Sequence, residues 1–212
     1  EAYELVGHKF SGWVVLFCNP KGNPYLHQGK PFYRLKPEPE QLKGDHPPKS
    51  LSPKDAGCRP YFSPLATEKK FNTSKKLFIT EGEKKADALT HYGFPCIALS
   101  GVSGWKDKRS GESKPLLELE EFNWKNRQVY PVFNSDIVSK IQVLQALQSF
   151  CEFLKGKEAK VLIILLPNEL NGGKNGADDF LKRHGKQSFS ELIRIARPAF
   201  HYCKRKKEDV FT

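Results

Sequence analysis

Leu77-Phe78-Ile79-Thr80 is a run of apolar and β-branched positions that ends on a carboxylate, Glu81. Gly82 follows, and then the charged stretch Glu83–Leu89. The run predicts a buried strand, Leu77–Thr80, whose C-terminal end presents Glu81 at a turn into a helix. That helix spans Lys84–Tyr92 and is closed by Gly93. The same change of period recurs downstream. A strand at Pro95–Leu99 precedes a long polar loop and a short helix, Pro115–Phe122. A strand at Gln128–Phe133 precedes a helix over Ile137–Lys155, with Ile137, Ile141, Leu144, Phe150 and Leu154 on one stripe and Gly156 as its stop. Lys160–Leu166 is an uninterrupted apolar run, as expected of a strand covered on both faces. A glycine loop and helices near Asp178–Arg183 and Phe189–Ala196 complete the series, ended by Pro198. Four β–α units in succession predict an α/β fold: a four-stranded, mostly parallel, Rossmann-like sheet with helices on both faces.

The first third is patterned differently. Trp13–Phe17 and Phe32–Leu35 are short aromatic strands separated by the turn Asn19-Pro20-Lys21-Gly22-Asn23. Residues 37–65 are too rich in proline for a helix and are expected as an extended loop. Lys69–Lys76 is expected as a polar connector. The resulting division is 1–76, a small β-rich basic subdomain with a Pro-rich loop; 77–198, the α/β domain; and 199–212, a basic tail holding Lys204-Arg205-Lys206-Lys207.

Composition narrows the partners. Of 212 residues, 35 are Lys or Arg and 24 Asp or Glu, a net charge of +11. Residues 1–76 contribute +6 of it, with 13 basic and 7 acidic side chains. The excess favours a polyanionic partner. No apolar run reaches the ~18 residues of a membrane span, and a cytoplasmic location is expected. The five cysteines are scattered without a C-x-x-C pair, which argues for reduced thiols and against zinc. The chain opens on Glu1 and holds no methionine, so a piece of a longer protein is expected.

In open α/β sheets ligands bind outside the carboxyl ends of the strands. Three of the four predicted strand ends carry acid there. Asn134 and Asp136, two apart after the third strand, leave on one face. With Glu81 they form an oxygen-rich set suited to Mg²⁺ or Mn²⁺. The loop after the fourth strand, Asn171-Gly172-Gly173-Lys174-Asn175-Gly176-Ala177-Asp178-Asp179, adds a lysine and two further acids. Each has a plainer reading. Glu81 and Asp136 suit the positive end of a helix dipole, and Asp178 and Asp179 suit a helix start. Lys174 fits a phosphate cradle, but the spacing is not that of a Walker loop. Ser100–Gly104 is a lone glycine loop. Trp105-Lys106-Asp107-Lys108-Arg109 mixes an aromatic with cations, as in single-strand tracking or in an ordinary surface loop. Lys84 and Lys85 either approach the crevice or pair along their own helix.

Glu81-Gly82, Asn134-x-Asp136 and Lys174-x-x-x-Asp178-Asp179 resemble the three motifs of the Toprim (topoisomerase–primase) family over about residues 77–185. The fuller strings Ile-Thr-Glu-Gly-Glu-Lys-Lys-Ala-Asp-Ala and Gly-Ala-Asp-Asp-Phe-Leu resemble the primase-like kind found in plasmid- and phage-type (cyanobacterial) replication proteins, where the domain often sits beside a helicase. Upstream, Arg34 and Pro48-Lys49-Ser50-Leu51-Ser52-Pro53 are more loosely similar to the basic subdomain of bacterial primases. The resemblance implies primase-like, Mg²⁺-dependent nucleotidyl transfer on single-stranded DNA or RNA with nucleoside triphosphates. It implies Glu81 and Asp136 as catalytic residues. Glu81, Asn134, Asp136, Asp178 and Asp179 would be the metal set. Arg34, Lys49, Lys84, Lys85, Lys106, Lys108, Arg109 and Lys174 would contact nucleic acid. The family has an aspartate where this chain has Asn134, which keeps a ligating oxygen but removes one charge. A weakened module that only binds, and a Toprim-type nuclease, therefore stand as alternatives.

Overall fold

The computed structural model describes residues 3–5, 8–41, 50–107, 109, 111–138, 141–169 and 172–198. Lys49, Lys108 and the tail 199–212 lie outside the described residues.

Two strands of the first third, β1 (Gly12–Leu16) and β2 (Tyr33–Pro37), pair antiparallel, with Trp13 opposite Lys36 and Val15 opposite Arg34. The segment expected as one extended loop contains a further short strand, β3 (Tyr61–Phe62). The stretch expected as a polar connector is a helix, α1 (Glu68–Thr73), whose first turn is capped by the Thr67 hydroxyl accepting from the Lys70 N–H. Its single large apolar residue, Phe71, is buried, which is too little periodicity to announce a helix.

The alternating part follows as β4 (Lys76–Glu81), α2 (Glu83–His91), β5 (Cys96–Leu99), α3 (Leu117–Glu120), β6 (Gln128–Val132), α4 (Ile141–Gly156), β7 (Lys160–Val161) and α5 (Ala177–Ile195). A 3₁₀ turn, Ser135–Val138, stands where α4 was expected to begin. The two helices expected at the C-terminal end are present within α5, divided at Gly185, whose φ of 71° and ψ of 179° are not helical.

The sheet has five strands, not four, in the order β7-β6-β4-β5-β3. All neighbours are parallel except β3, which runs antiparallel on the β5 edge. The run Lys160–Leu166 gives a ladder of only two residues, because it lies at the opposite edge; Ile164 adds an isolated bridge to Val132. It is nonetheless largely buried: Val161 and Ile163 face α4, Ile164 and Leu166 join the core with α5, and the Ile163 backbone pairs with Arg197 at the edge.

Side chains alternate between two cores, as strand geometry requires. Leu77, Ile79, Ile97, Leu99, Val129 and Phe133 face α3, α4 and Phe71. Phe78, Cys96, Ala98, Tyr130 and Val132 face α2 and α5. Phe17 and Phe32 flank β1 and β2 and join this second core. Asp87 of α2 accepts hydrogen bonds from Tyr61 and Ser63, fastening the β3 edge to the helix above it.

Chain direction sets the location of the site. From β4 the chain steps one way to β5, then crosses to the other side for β6 and continues to β7. The switch point lies between β4 and β6, and their carboxyl ends open into a crevice there.

Candidate functional site

β4 ends on Glu81, and Gly82 turns the chain into α2 with φ 86°, a conformation that favours glycine. β6 leads through Phe133 to Asn134 and Asp136 on the 3₁₀ turn. Glu81, Asn134, Asp136 and Lys174 line one cleft of about 430 Å³, closed on the β5 side by the loop Ser100–Gly104. The strand ends thus bring together four of the residues singled out from the sequence. Asp178 and Asp179 occupy the first turn of α5 and do not line the cleft.

Lys174 is held in place by a reciprocal staple. The Ser135 N–H donates to the Asn175 carbonyl at 3.1 Å, and the Asn175 N–H donates to Ser135 Oγ at 3.0 Å. Asn175 is buried, donates through Nδ2 to the Pro167 carbonyl, and accepts from Arg183. The turn after β6 and the glycine loop after β7 are therefore one unit. It sets Lys174 Nζ 2.6 Å from Asp136 Oδ2. The hydrogen bond to Asp136 and that carboxylate's charge, with a further push from Glu81, raise the Lys174 pKa.

Two carboxylates and a carboxamide oxygen match the ligand chemistry of Mg²⁺, which takes one or two carboxylates and completes its shell with water and phosphate. Among the described residues no group of three or more His, Cys, Asp or Glu side chains is close enough to hold a metal. One oxygen of Asp178, Oδ1, is buried without a hydrogen-bond partner. It lies beside Gly176, where an added Cβ would come within 2.6 Å of it and 2.8 Å of Lys85 Cε.

The other basic residues fall in two places. Lys106 and Arg109 line a second cleft of about 500 Å³ that shares Ser100, Ser103 and Gly104 with the first. Arg109 is clamped there on Asp107, through Nη2 at 2.6 Å and Nε at 3.0 Å. Those bonds pull the Asp107 carboxyl down to about 2. Trp105 does not offer a free ring. It is 5% exposed, with centroids 5.0 Å from Phe153 and 5.5 Å from Phe150.

Arg34 and Lys84 sit instead where β1 and β2 meet α2. Arg34 Nη1 donates to Glu83 Oε1 at 2.5 Å, and Lys36 Nζ is 3.6 Å from Glu83 Oε2. Glu83 is buried at 3% exposure. Sequence reasoning passed over Glu83, although it shares the buried stripe of Ala86, Leu89 and Thr90 at helical spacing. It likewise passed over Ser135 and Asn175, for which the sequence carries no signal beyond their place at strand ends.

Among the described residues no helix is long and apolar enough to cross a membrane. No curated protein sequence matches the chain. Its fold is similar to that of the Aquifex aeolicus primase zinc-binding and RNA polymerase domains, with 15% identity, TM-score 0.55, and coverage of 86% of this chain and 40% of that one. It is also similar to the RNA polymerase domain of Mycobacterium tuberculosis primase DnaG, with 10% identity, TM-score 0.63, and coverage of 91% and 58%. A third similar structure is a DnaG primase catalytic domain bound to ssDNA, with 15% identity, TM-score 0.55, and coverage of 91% and 55%. The chain thus spans about half the length of these structures. Residues 70–188 match the family described as Domain of unknown function (DUF3854), and the chain belongs to that family.

Proposed function

We propose that this chain is the Toprim-type part of a primase-like protein that transfers nucleotides onto a growing strand along a single-stranded template. The observation that carries the reading is the meeting of Glu81, Asn134 and Asp136 in one cleft at the switch point of the sheet. Glu81, Asp136 and the Asn134 carboxamide would hold Mg²⁺ or Mn²⁺. Bound there, the cation stabilises negative charge on the phosphate undergoing transfer. Glu81, at the strand end, is the candidate to take or return the proton of the attacking hydroxyl. Lys174 is the exchangeable partner: 63% of its side chain is exposed, so its ammonium can trade Asp136 for a phosphate oxygen. Lys106, Arg109 and Lys84 supply cations along the approach, and a helicase domain or subunit is the partner this reading implies.

Primer synthesis from nucleoside triphosphates on single-stranded DNA, with Mg²⁺ or Mn²⁺, tests it. Glu81→Gln abolishes product if the reading is right; unchanged synthesis in that variant refutes it. A second reading, a nucleic-acid-binding module without turnover, is favoured by the Lys174–Asp136 ion pair and by the lack of a three-acid cluster among the described residues. It requires the wild-type chain to be silent and Asn134→Asp to gain activity. Strand cleavage on the same gel would indicate the nuclease instead. Mn²⁺ titration followed by electron paramagnetic resonance reads metal binding independently of turnover.

A further inference from the structure

Trp13 is the largest side chain on the face of β1 that turns toward α2, yet 69% of it is exposed. Farther along the same face Val15 is half-buried and Phe17 is 1% exposed in the second core. The apolar row therefore runs out from the interior and ends on an indole in solvent. Its surroundings are cationic. Lys36 is its partner across the β1·β2 ladder, and Lys84 Nζ lies 5.4 Å from its ring centroid. Arg34 is one step along the same face of β2. Among the described residues, three cations thus stand against two carboxylates: Glu83, already engaged by Arg34 and Lys36, and Asp87 one turn farther on, which accepts from Tyr61 and Ser63. An anion meeting this surface would find net positive charge beside an indole that has Lys84 over one face and is still 69% exposed.

We infer that Trp13 is a stacking platform for a base of single-stranded nucleic acid, with Lys84 and Lys36 beside it for the adjoining phosphates. The inference rests on the nucleic-acid reading above and deepens it by naming where the strand is gripped outside the cleft. Aromatic planes flanked by cations bind single strands because every base has a π face and every nucleotide a phosphate. The platform adjoins the cleft along the chain. Lys84 is three residues after Glu81, so their Cα atoms are at most about 11 Å apart. The buried Glu83 between them ties the start of α2 to Arg34 of β2. The occupant is a strand and not a duplex, since a base inside a duplex is already stacked on both faces.

The other two tryptophans, Trp105 and Trp124, are 5% and 1% exposed, so quenching of indole fluorescence by an oligonucleotide reports on Trp13. The experiment titrates 15-mers of dT and of rU into the chain at 50 and 150 mM salt. Wild type is expected to show saturable quenching. Trp13→Leu is expected to lose that quenching and bind roughly 5- to 150-fold more weakly by anisotropy, the range given by removal of one stacked base. Trp13→Phe is expected to restore most of the affinity. The salt slope should stay unchanged in Trp13→Leu and fall by about one in Lys84→Ala, which removes a phosphate contact. Binding by Trp13→Leu equal to wild type overturns the platform while leaving the nucleic-acid reading intact. No binding by wild type at 50 mM salt overturns both. Quenching that instead follows protein concentration and disappears in Trp13→Leu marks a self-association surface and also overturns the inference.

Discussion

Truncating Glu83 should release the β1·β2 hairpin from α2 at a cost that can be worked from the contacts. The Glu83 side chain is 4% exposed, that of Arg34 13% and that of Lys36 33%. In Glu83→Ala the Arg34 guanidinium stays largely covered and loses its charged acceptor. Breaking a buried pair from one side costs about 3–5 kcal/mol. Lys36 is a third exposed and keeps water, so its share falls in the range of surface pairs, about 0.2–1 kcal/mol. Arg34 retains some solvent contact, which places the total near the lower end, about 3 kcal/mol, or roughly 150-fold in the folding equilibrium. For a chain of this size that corresponds to about 6–12 °C in Tm. Urea unfolding followed by circular dichroism measures it. Glu83→Gln, which keeps an acceptor oxygen for Arg34, should lose less than the alanine variant. The double variant Arg34→Met/Glu83→Met should recover most of the loss, because a well-packed apolar pair replaces a desolvated ionic one at little cost. A loss below about 1 kcal/mol in Glu83→Ala, together with additive single and double variants, would refute the clamp.

Ser135→Ala removes the acceptor for the buried Asn175 N–H and should cost about 1–3 kcal/mol by urea midpoint, with weaker Mn²⁺ binding as the two loops separate. Arg127 is buried, and its two terminal nitrogens donate to the carbonyls of Phe71 and Asn72 at the end of α1. Arg127→Met should therefore speed hydrogen exchange across residues 68–74 well before it affects β4, and equal protection in both would contradict this. Asp107 titrates at about 2 against an ordinary 3.8 because Arg109 donates to it, so it stabilises the fold above pH 4 and loses that contribution as pH falls toward 2. Asp107→Asn should give a shallower loss of stability between pH 4 and 2 in acid titration.

The parts of the site that depend on strand ends were legible in the sequence. Glu81 follows an apolar run that forms a covered strand, and Asn134 and Asp136 do line one cleft, although a 3₁₀ turn and not strand parity brings them there. Lys174 was also legible, as the one cation in a glycine loop at the same edge. What escaped depends on which distant segment packs where. Trp13 and Trp105 have similar neighbours in sequence, yet one is open to solvent and the other is stacked on Phe150 and Phe153. Glu83 looked like one charge among several on a polar helix, and its burial is created by strands nearly fifty residues earlier. Tyr61–Phe62 was hidden because two residues in a proline-rich stretch are too short to show a period. Lys160–Leu166 read as a strand covered on both faces, and Val161 and Ile163 do enter one core while Ile164 and Leu166 enter the other; its place at the sheet edge carried no sequence signal.

The position of Tyr61–Phe62 bears on how the protein should be handled. The span shared with the family starts at residue 70 and leaves these two residues out. Cut there, β5 would face water with a bare row of amides and carbonyls, and the cavity left by Phe62 would open beside Phe71. Such a raw margin recruits strands from other copies. A fragment trimmed at residue 70 is therefore expected to aggregate where one beginning upstream of residue 61, with its own selvedge, does not, as sedimentation of the two would show.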